Sequence, residues 1–424
     1  NEYHEVRQLI MNPKSITMGQ LYGSFDDATH EWADGILCKL FREAVYDTTE
    51  KQKWVVFDGP VDALWIESMN TVLDENKKLC LVSGEIITMT HFMRMVFEVE
   101  DLSVASPATV SRVGIIYLEP STSVGSAAVV TSWLQTLPPA VECHKQQLLK
   151  LFDALLDEAI DFHKRNLREY VKTVEPNLWR SVLNLIDGFL IEYVSRDGEE
   201  IQKDRIDALK FNIEPILLFS LTWGIAGACD SQSRSKFDEW IKGKKAIPFK
   251  PTIFEQKYDV VDMKWCGWLD TITIMPIDAK KEFSDLIVQT PDSISYAFLI
   301  EHIMQQLNHV LCIGPTGTSK TLTIKQKLMH GMDEVVYSPI FLTFSAQTSA
   351  NQTQDILDAK MDKRRKGVYG PPAGKRFTIF VDDMNMPLRE VYFAQPPIEI
   401  LRQWMDHQGW YDRKTHQKKT IIDV

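Results

Sequence analysis

The chain of 424 residues carries 47 basic and 58 acidic side chains, a net charge of −11, and 44% hydrophobic residues. The balance argues against a surface that coats nucleic acid, the apolar content is ample for packed cores, and the length predicts about two to three domains. The six cysteines, Cys38, Cys80, Cys143, Cys229, Cys266 and Cys312, show no paired spacing, so reduced core thiols of a cytosolic protein are expected, not a disulfide framework or zinc site.

Residues 1–57 contain two helix-like segments, one from Asp26 to Tyr46 with Trp32, Ile36, Leu37, Leu40 and Phe41 at helical spacing. A strand, Lys53 to Pro60, follows and ends in Asp58. A buried-type strand closed by a carboxylate is how nucleotide sites hold Mg²⁺. Gly59 stands where the catalytic acid belongs, so a site at Asp58 is expected to bind without hydrolysing. Lys78 to Ile87 reads as a hairpin turning at Ser83-Gly84, and Met95 to Val99 as a further strand. Arg112 then follows a proline-led turn, Ser106-Pro107-Ala108-Thr109-Val110-Ser111. Ring-forming NTPases place there an arginine finger that neutralises a neighbour's γ-phosphate; the plain alternative is a surface arginine without a task.

From about residue 121 to 250 the pattern is helix after helix. Leu148, Phe152, Leu155, Leu156, Ala159 and Phe162 share one face, as do Trp179, Leu183, Ile186 and Leu190. Both stripes read as plain helical core. The longest uncharged apolar run, Pro215 to Cys229, is shorter than the roughly 20 residues that span a bilayer, and is expected as a buried helix. No signal-peptide pattern opens the chain. Lys242 to Pro251 marks a boundary, and Phe254 to Pro276, with Trp265, Trp268, Ile272 and Ile274, reads as strands or a strapping segment.

Thr290 to Gln306 is expected as a helix leading into the apolar strand Leu311-Cys312-Ile313 and the loop Gly314, Pro315, Thr316, Gly317, Thr318, Ser319, Lys320 and Thr321. This is a phosphate-binding loop: backbone N–H groups surround the β-phosphate, the Lys320 ammonium reaches the β/γ oxygens, and the Thr321 hydroxyl meets Mg²⁺. Leu322 to Met329 reads as the helix whose N-terminus favours the anion. Ser319 replaces the second glycine of the motif, a position where backbone approaches the ligand closely. The run Lys363-Arg364-Arg365-Lys366 reads as a solvated loop. Phe377 to Asp383 is a second strand of the Asp58 kind, with Asp382 in the metal role and Asp383 in the water-orienting role. Asp383 has a shorter arm than the usual glutamate, which slows hydrolysis. The sequence starts at Asn1 and stops at Val424 within a strand-like run, as expected of an excerpt from something longer.

The order of parts is thus that of two consecutive nucleotide modules in one chain. Four stretches, Asn12 to Gly23, Ser106 to Arg112, Phe344 to Ala350 and Val381 to Pro387, together with Gln395 to Glu399, resemble the AAA+ ring of dynein heavy chains, in the axonemal form. The resemblance implies α/β P-loop modules with an intervening helical subdomain. Residues 1–120 would be the second module without its P-loop, 121–250 its helical subdomain, and 251–424 the third module through its Walker B strand. It further implies ATP or ADP with Mg²⁺ as cofactors, a regulatory site at the third-module loop, and Arg112 as the finger of the preceding module. The parent would be a minus-end-directed microtubule motor of the cytoplasm, cytoskeleton and ciliary axoneme. Its partners would be neighbouring modules, intermediate and light chains and microtubules, with no nucleic acid and no membrane. The alternatives are a structural module that binds nucleotide without hydrolysis and a different P-loop ATPase.

Overall fold

Two parallel strand pairs, each closing on an aspartate, organise the computed structural model, which describes residues 5–118, 125–194, 201–245, 251–272 and 288–424. In chain order the principal elements are strand β1 (Val6–Met11), helix α1 (Ile36–Tyr46), strands β2 (Gln52–Asp58) and β3 (Met93–Glu98), and helices α2 (Lys145–Asn166), α3 (Glu175–Leu190), α4 (Lys203–Ile225), α5 (Pro291–Met304) and α6 (Lys320–His330). Strands β4 (Tyr337–Thr343) and β5 (Arg376–Asp382) and helix α7 (Pro396–His407) follow. The described residues fall into two compact units, Asn1–Ile116 with Asp333–Val424, and Tyr117–Met332. Residues 121 and 250, the expected module limits, lie outside the described residues. The segment 251–424 is shared between the two units, which divide it at Met332 and Asp333.

In the first unit β2 lies between β1 and β3, all parallel. Its Trp54-Val55-Val56-Phe57 run is largely buried, as suits a strand covered on both faces. The pair β4–β5 is also parallel. The two pairs are built the same way. After β1, Thr17 caps a helix (Met18–Tyr22) and Gln20 reaches back to it; after β4, Ser349 and Gln352 do the same for Ala350–Asp358. Each is a capping box that satisfies orphan N–H groups at both ends of one turn. A hairpin comes next in each copy, Gly23–Phe25 with Trp32–Asp34 and Asp362–Arg365 with Val368–Gly370. The returning strand then ends in Asp58 or Asp382. Each copy has its own apolar core, one around Phe41, Phe57 and Trp65, the other around Ile340, Leu357 and Trp410.

Two expectations fail here for local reasons. The helix expected from Asp26 begins only at Ile36. Asp26 accepts N–H groups from Ala28 at 2.9 Å and Thr29 at 2.8 Å, a side-chain turn that competes with helix, and Trp32 sits on a strand with its ring edge-on to Phe25. Lys363, Arg364 and Arg365 are not loop but the exposed strand Asp362–Arg365, paired with Val368–Gly370.

The second unit is helical. Leu148, Phe152, Leu155, Leu156 and Ala159 of α2 and Trp179, Leu183, Ile186 and Leu190 of α3 are buried in one core with Phe219 of α4. Phe162 is partly buried and stacks on Trp240 with ring centroids 5.2 Å apart. Pro215 to Ile225 lie inside α4 as expected, with Ile216, Leu217, Leu218, Phe219 and Leu221 buried, but the helix ends at Ile225 and the last four residues of the expected run, Ala226 to Cys229, turn out of it. The expected strands after Phe254 form the antiparallel hairpin Gln256–Asp259 with Lys264–Gly267, while Ile274 and Pro276 lie outside the described residues.

Helix α5 is fastened to α3 through a notch. His302 donates from Nε2 to the Leu185 carbonyl at 2.9 Å, and a Cβ on Gly188 would stand 2.2 Å from that nitrogen. Only glycine leaves room for the ring. Burial pushes the His302 pKa down to about 4, so the ring is neutral and the bond needs no counter-ion. On the α6 side, Lys327 pairs with Glu301 of α5 at 2.6 Å. The helices on either side of residues 314–319 are thereby joined.

Candidate functional site

The loop expected to cradle phosphate lies between α5 and α6. Gly317 has φ 84° and Ser319, the residue before α6, has φ 54°. The motif's glycine at that position supplies a left-handed conformation without steric cost. Ser319 adopts it nonetheless, so the substitution keeps the turn that opens α6. Lys320 Nζ donates to the carbonyls of Gly314 at 2.9 Å and Pro315 at 2.6 Å, and to Thr318 Oγ1 at 3.3 Å. Its ammonium thus lies over the loop's own oxygens, at the head of the α6 dipole. Thr321 is the next helical residue. The strand expected at Leu311 is absent: no described strand pairs with residues 308–315, and Leu311 is exposed. An apolar run becomes a strand only when neighbouring strands take its N–H and C=O groups.

Asp382 closes β5 in register with Thr343 of β4, and its carboxylate accepts the Asp383 N–H at 3.2 Å. Asp383 is exposed with φ 53°, a left-handed conformation that aspartate tolerates better than most residues. Residues 314–321 belong to the second unit, and Asp382 and Asp383 to the first.

Arg112 follows the helical turn Pro107–Val110, which Ser106 caps. Its guanidinium pairs with Asp74 through Nε and donates from Nη1 to the Ala108 carbonyl at 2.8 Å. That leaves the side chain partly exposed, with its guanidinium tethered through Nε and Nη1.

Asp58 shows what sequence reasoning missed. Its Oδ1 accepts from Arg402 Nη1 at 2.8 Å, its Oδ2 meets His407 Nε2 at 2.7 Å, and its backbone carbonyl takes Arg402 Nη2 at 2.7 Å. Both partners lie on α7. Glu399, one turn earlier, accepts from Arg402 Nε at 3.1 Å and from Asn12 Nδ2 at 2.7 Å. Gln403 accepts from the buried Ser15 hydroxyl at 2.7 Å. Burial works to raise the Asp58 pKa, but Arg402 and His407 outweigh it and hold the carboxyl below its ordinary value. A divalent cation at Asp58 would have to displace two cationic or N–H partners. The neighbouring Gly59 also has a steric reason: a Cβ there would be 2.6 Å from Asn12 Oδ1 and 3.1 Å from the Pro13 ring. The place of a catalytic acid is filled by the two residues that follow β1. The available signal for the α7 partners was Glu399, Arg402, Gln403 and Asp406 recurring at helical spacing, a pattern shared with any solvated helix face.

All six cysteines are free, but only Cys38 and Cys229 are buried; Cys80, Cys143 and Cys312 are exposed. The expectation of core thiols therefore fails for half of them. Among the described residues no helix is long and apolar enough to cross a membrane.

A parallel sheet with the order β1-β2-β3, two aspartate-ended strands, a phosphate loop heading a helix and an intervening helical bundle together define α/β modules of the AAA+ P-loop NTPase class. Residues 275–424 match the family described as P-loop containing dynein motor region, and residues 148–270 match the dynein heavy chain AAA lid domain. The chain is 45% identical over its whole length to dynein axonemal heavy chain 1 of Homo sapiens and 44% identical to that of Mus musculus, covering 10% of each relative. It is 44% identical to dynein axonemal heavy chain 12 of Rattus norvegicus, with 98% of this chain and 14% of the relative aligned. The chain belongs to the dynein heavy chain family and is part of its motor region. It spans about a tenth of the length of the first of these relatives.

Proposed function

We propose that the chain is the stretch of an axonemal dynein motor ring that runs from the second AAA+ module, after its P-loop, through the Walker B strand of the third. In this reading the loop Gly314 to Thr321 binds ATP or ADP as a regulatory site. The observation that carries it is the left-handed turn at Ser319 that starts α6 directly at Lys320 and Thr321. Such a start aims backbone N–H groups and the helix dipole at an anion. Thr321 in the second unit offers a hydroxyl and Asp382 in the first a carboxylate, each a hard oxygen donor of the kind that suits Mg²⁺. Asp383 is the residue to orient water, and its short arm and left-handed backbone favour slow turnover.

The second module is read as a structural module. Gly59 leaves no acid beside Asp58, and the packing of Asn12 and Pro13 leaves no room for one. Arg112 is the finger for the module that precedes it. The parent protein is then an ATP-driven microtubule motor of the ciliary axoneme, and its partners are the neighbouring modules, the intermediate and light chains and the microtubule.

The test is a structure of the intact motor with Mg·ATP. Nucleotide with its β-phosphate on the N–H groups of residues 315–320 is the expected result. An empty loop beside occupied sites elsewhere in the ring would refute the assignment.

A further inference from the structure

The polar face of α7 is too completely matched to be a solvated surface. Glu399, Arg402, Gln403 and His407 each have a partner on the β1–β2 side of the first unit: Asn12, Asp58, Ser15 and Asp58 again. Arg402 is held by four acceptors: the Asp58 carboxylate, the Asp58 carbonyl, Glu399 and, at 3.2 Å, Asp406 of its own helix. Between Asn12 and Ser15, Lys14 pairs with the buried Asp62 at 2.5 Å and also with Glu390 from the segment before α7. Buried or half-buried polar groups that are all satisfied fix a unique register between packed elements, whereas a partly satisfied set would destabilise it. This network joins the two apolar cores of the unit, the one that holds Phe57 and the one that holds Ile400 and Leu401 of α7. It therefore lies where the first strand–helix–hairpin copy meets the second.

We propose that Asp58 is a docking residue: its carboxylate, with Asn12 and Ser15, receives Glu399, Arg402, Gln403 and His407 and so fixes the second copy of the repeat on the first. The aspartate that ends a nucleotide-module strand is here used between modules. While α7 is docked, both of its oxygens are engaged and neither is open to a divalent cation. The inference does not depend on nucleotide binding at residues 314–321.

The experiment is hydrogen exchange by mass spectrometry on the intact motor, comparing the parent with Asp58→Asn, Arg402→Gln and the double variant. Peptides covering 396–407 are expected to exchange roughly tenfold faster or more in each single variant, with the double variant faster than either but by less than the product of the two effects, because the Arg402–Asp58 carboxylate contact is removed by both while each also removes contacts of its own. Peptides of β4 should be unchanged, which separates lost docking from misfolding. Removing divalent cations with EDTA should leave α7 as protected as before. Unchanged α7 protection in Asp58→Asn, additive effects in the double variant, or loosening by EDTA would each overturn the proposal; the last would make a metal, not Arg402, the partner of Asp58.

Discussion

Arg112→Ala in the intact motor is expected to lower ATP hydrolysis at the preceding module by about 10³-fold or more, the range over which an arginine finger acts on phosphoryl transfer. The geometry explains why the effect should be catalytic and not structural. Arg112 makes only peripheral bonds, to Asp74 and to the carbonyl of Ala108 in its own turn, and the turn itself is set by Ser106, Pro107 and the Thr109 hydroxyl, which donates to Asn70 at 2.9 Å. Removing the guanidinium leaves that scaffold intact. Nucleotide affinity at the preceding module should change far less than turnover, since charge on the transferring phosphoryl group is greatest in the transition state. Arg112→Lys should restore little, because a point charge does not reproduce the planar fork. Steady-state phosphate release with nucleotide affinity measured alongside checks this. Turnover within a few-fold of the parent would make Arg112 a surface arginine.

Trp65→Ala is expected to cost about 3–5 kcal/mol, the usual range for deleting a buried large aromatic. Trp65 is fully buried and stacks on Phe57 at 5.4 Å, and Phe57 in turn stacks on Phe97 of β3 at 5.3 Å. Its indole N–H donates to the Pro60 carbonyl at 3.1 Å, and its own carbonyl accepts the Tyr22 hydroxyl at 2.5 Å. One side chain therefore ties β2, β3 and the turn after Asp58 and Gly59 to the helix that ends at Tyr22. Truncation should open the β1-β2-β3 sheet locally, so peptides from 52–58 and 93–98 are expected to exchange at least 100-fold faster, while α3 and α4 keep the protection of the parent. Equal exchange in the sheet would mean that the stack contributes packing without holding it.

The sequence made the periodic parts of the fold legible. The stripes of α2 and α3 and the buried run in α4 fall where helical spacing puts them, because a long amphipathic pattern has one way to bury its face. Each strand that ends in an aspartate was legible from an apolar run closed by a charge. What was lost depends on partners remote in sequence. Leu311 to Ile313 has strand-forming residues, but a strand exists only with neighbours, and none among the described residues pairs with it. The Asp26 turn defeats a helix pattern through side-chain hydrogen bonds that periodicity does not register. Asp58 reads as a metal ligand until α7, more than three hundred residues later, supplies Arg402 and His407. Gly59 reads as a missing acid, and the structure adds that Asn12 and Pro13 occupy its place.

On the proposed reading, residues 314–321 hold nucleotide through Lys320. Equilibrium binding of ATP and ADP with Mg²⁺ to the intact motor, beside Lys320→Ala and with phosphate release followed in the same samples, tests it directly. One site in the ring is predicted to weaken by roughly 10–100-fold in the variant, the loss of a charge-assisted contact to phosphate, with little phosphate released from that site in the parent. Equal affinity of parent and variant at every site would exclude nucleotide binding through Lys320.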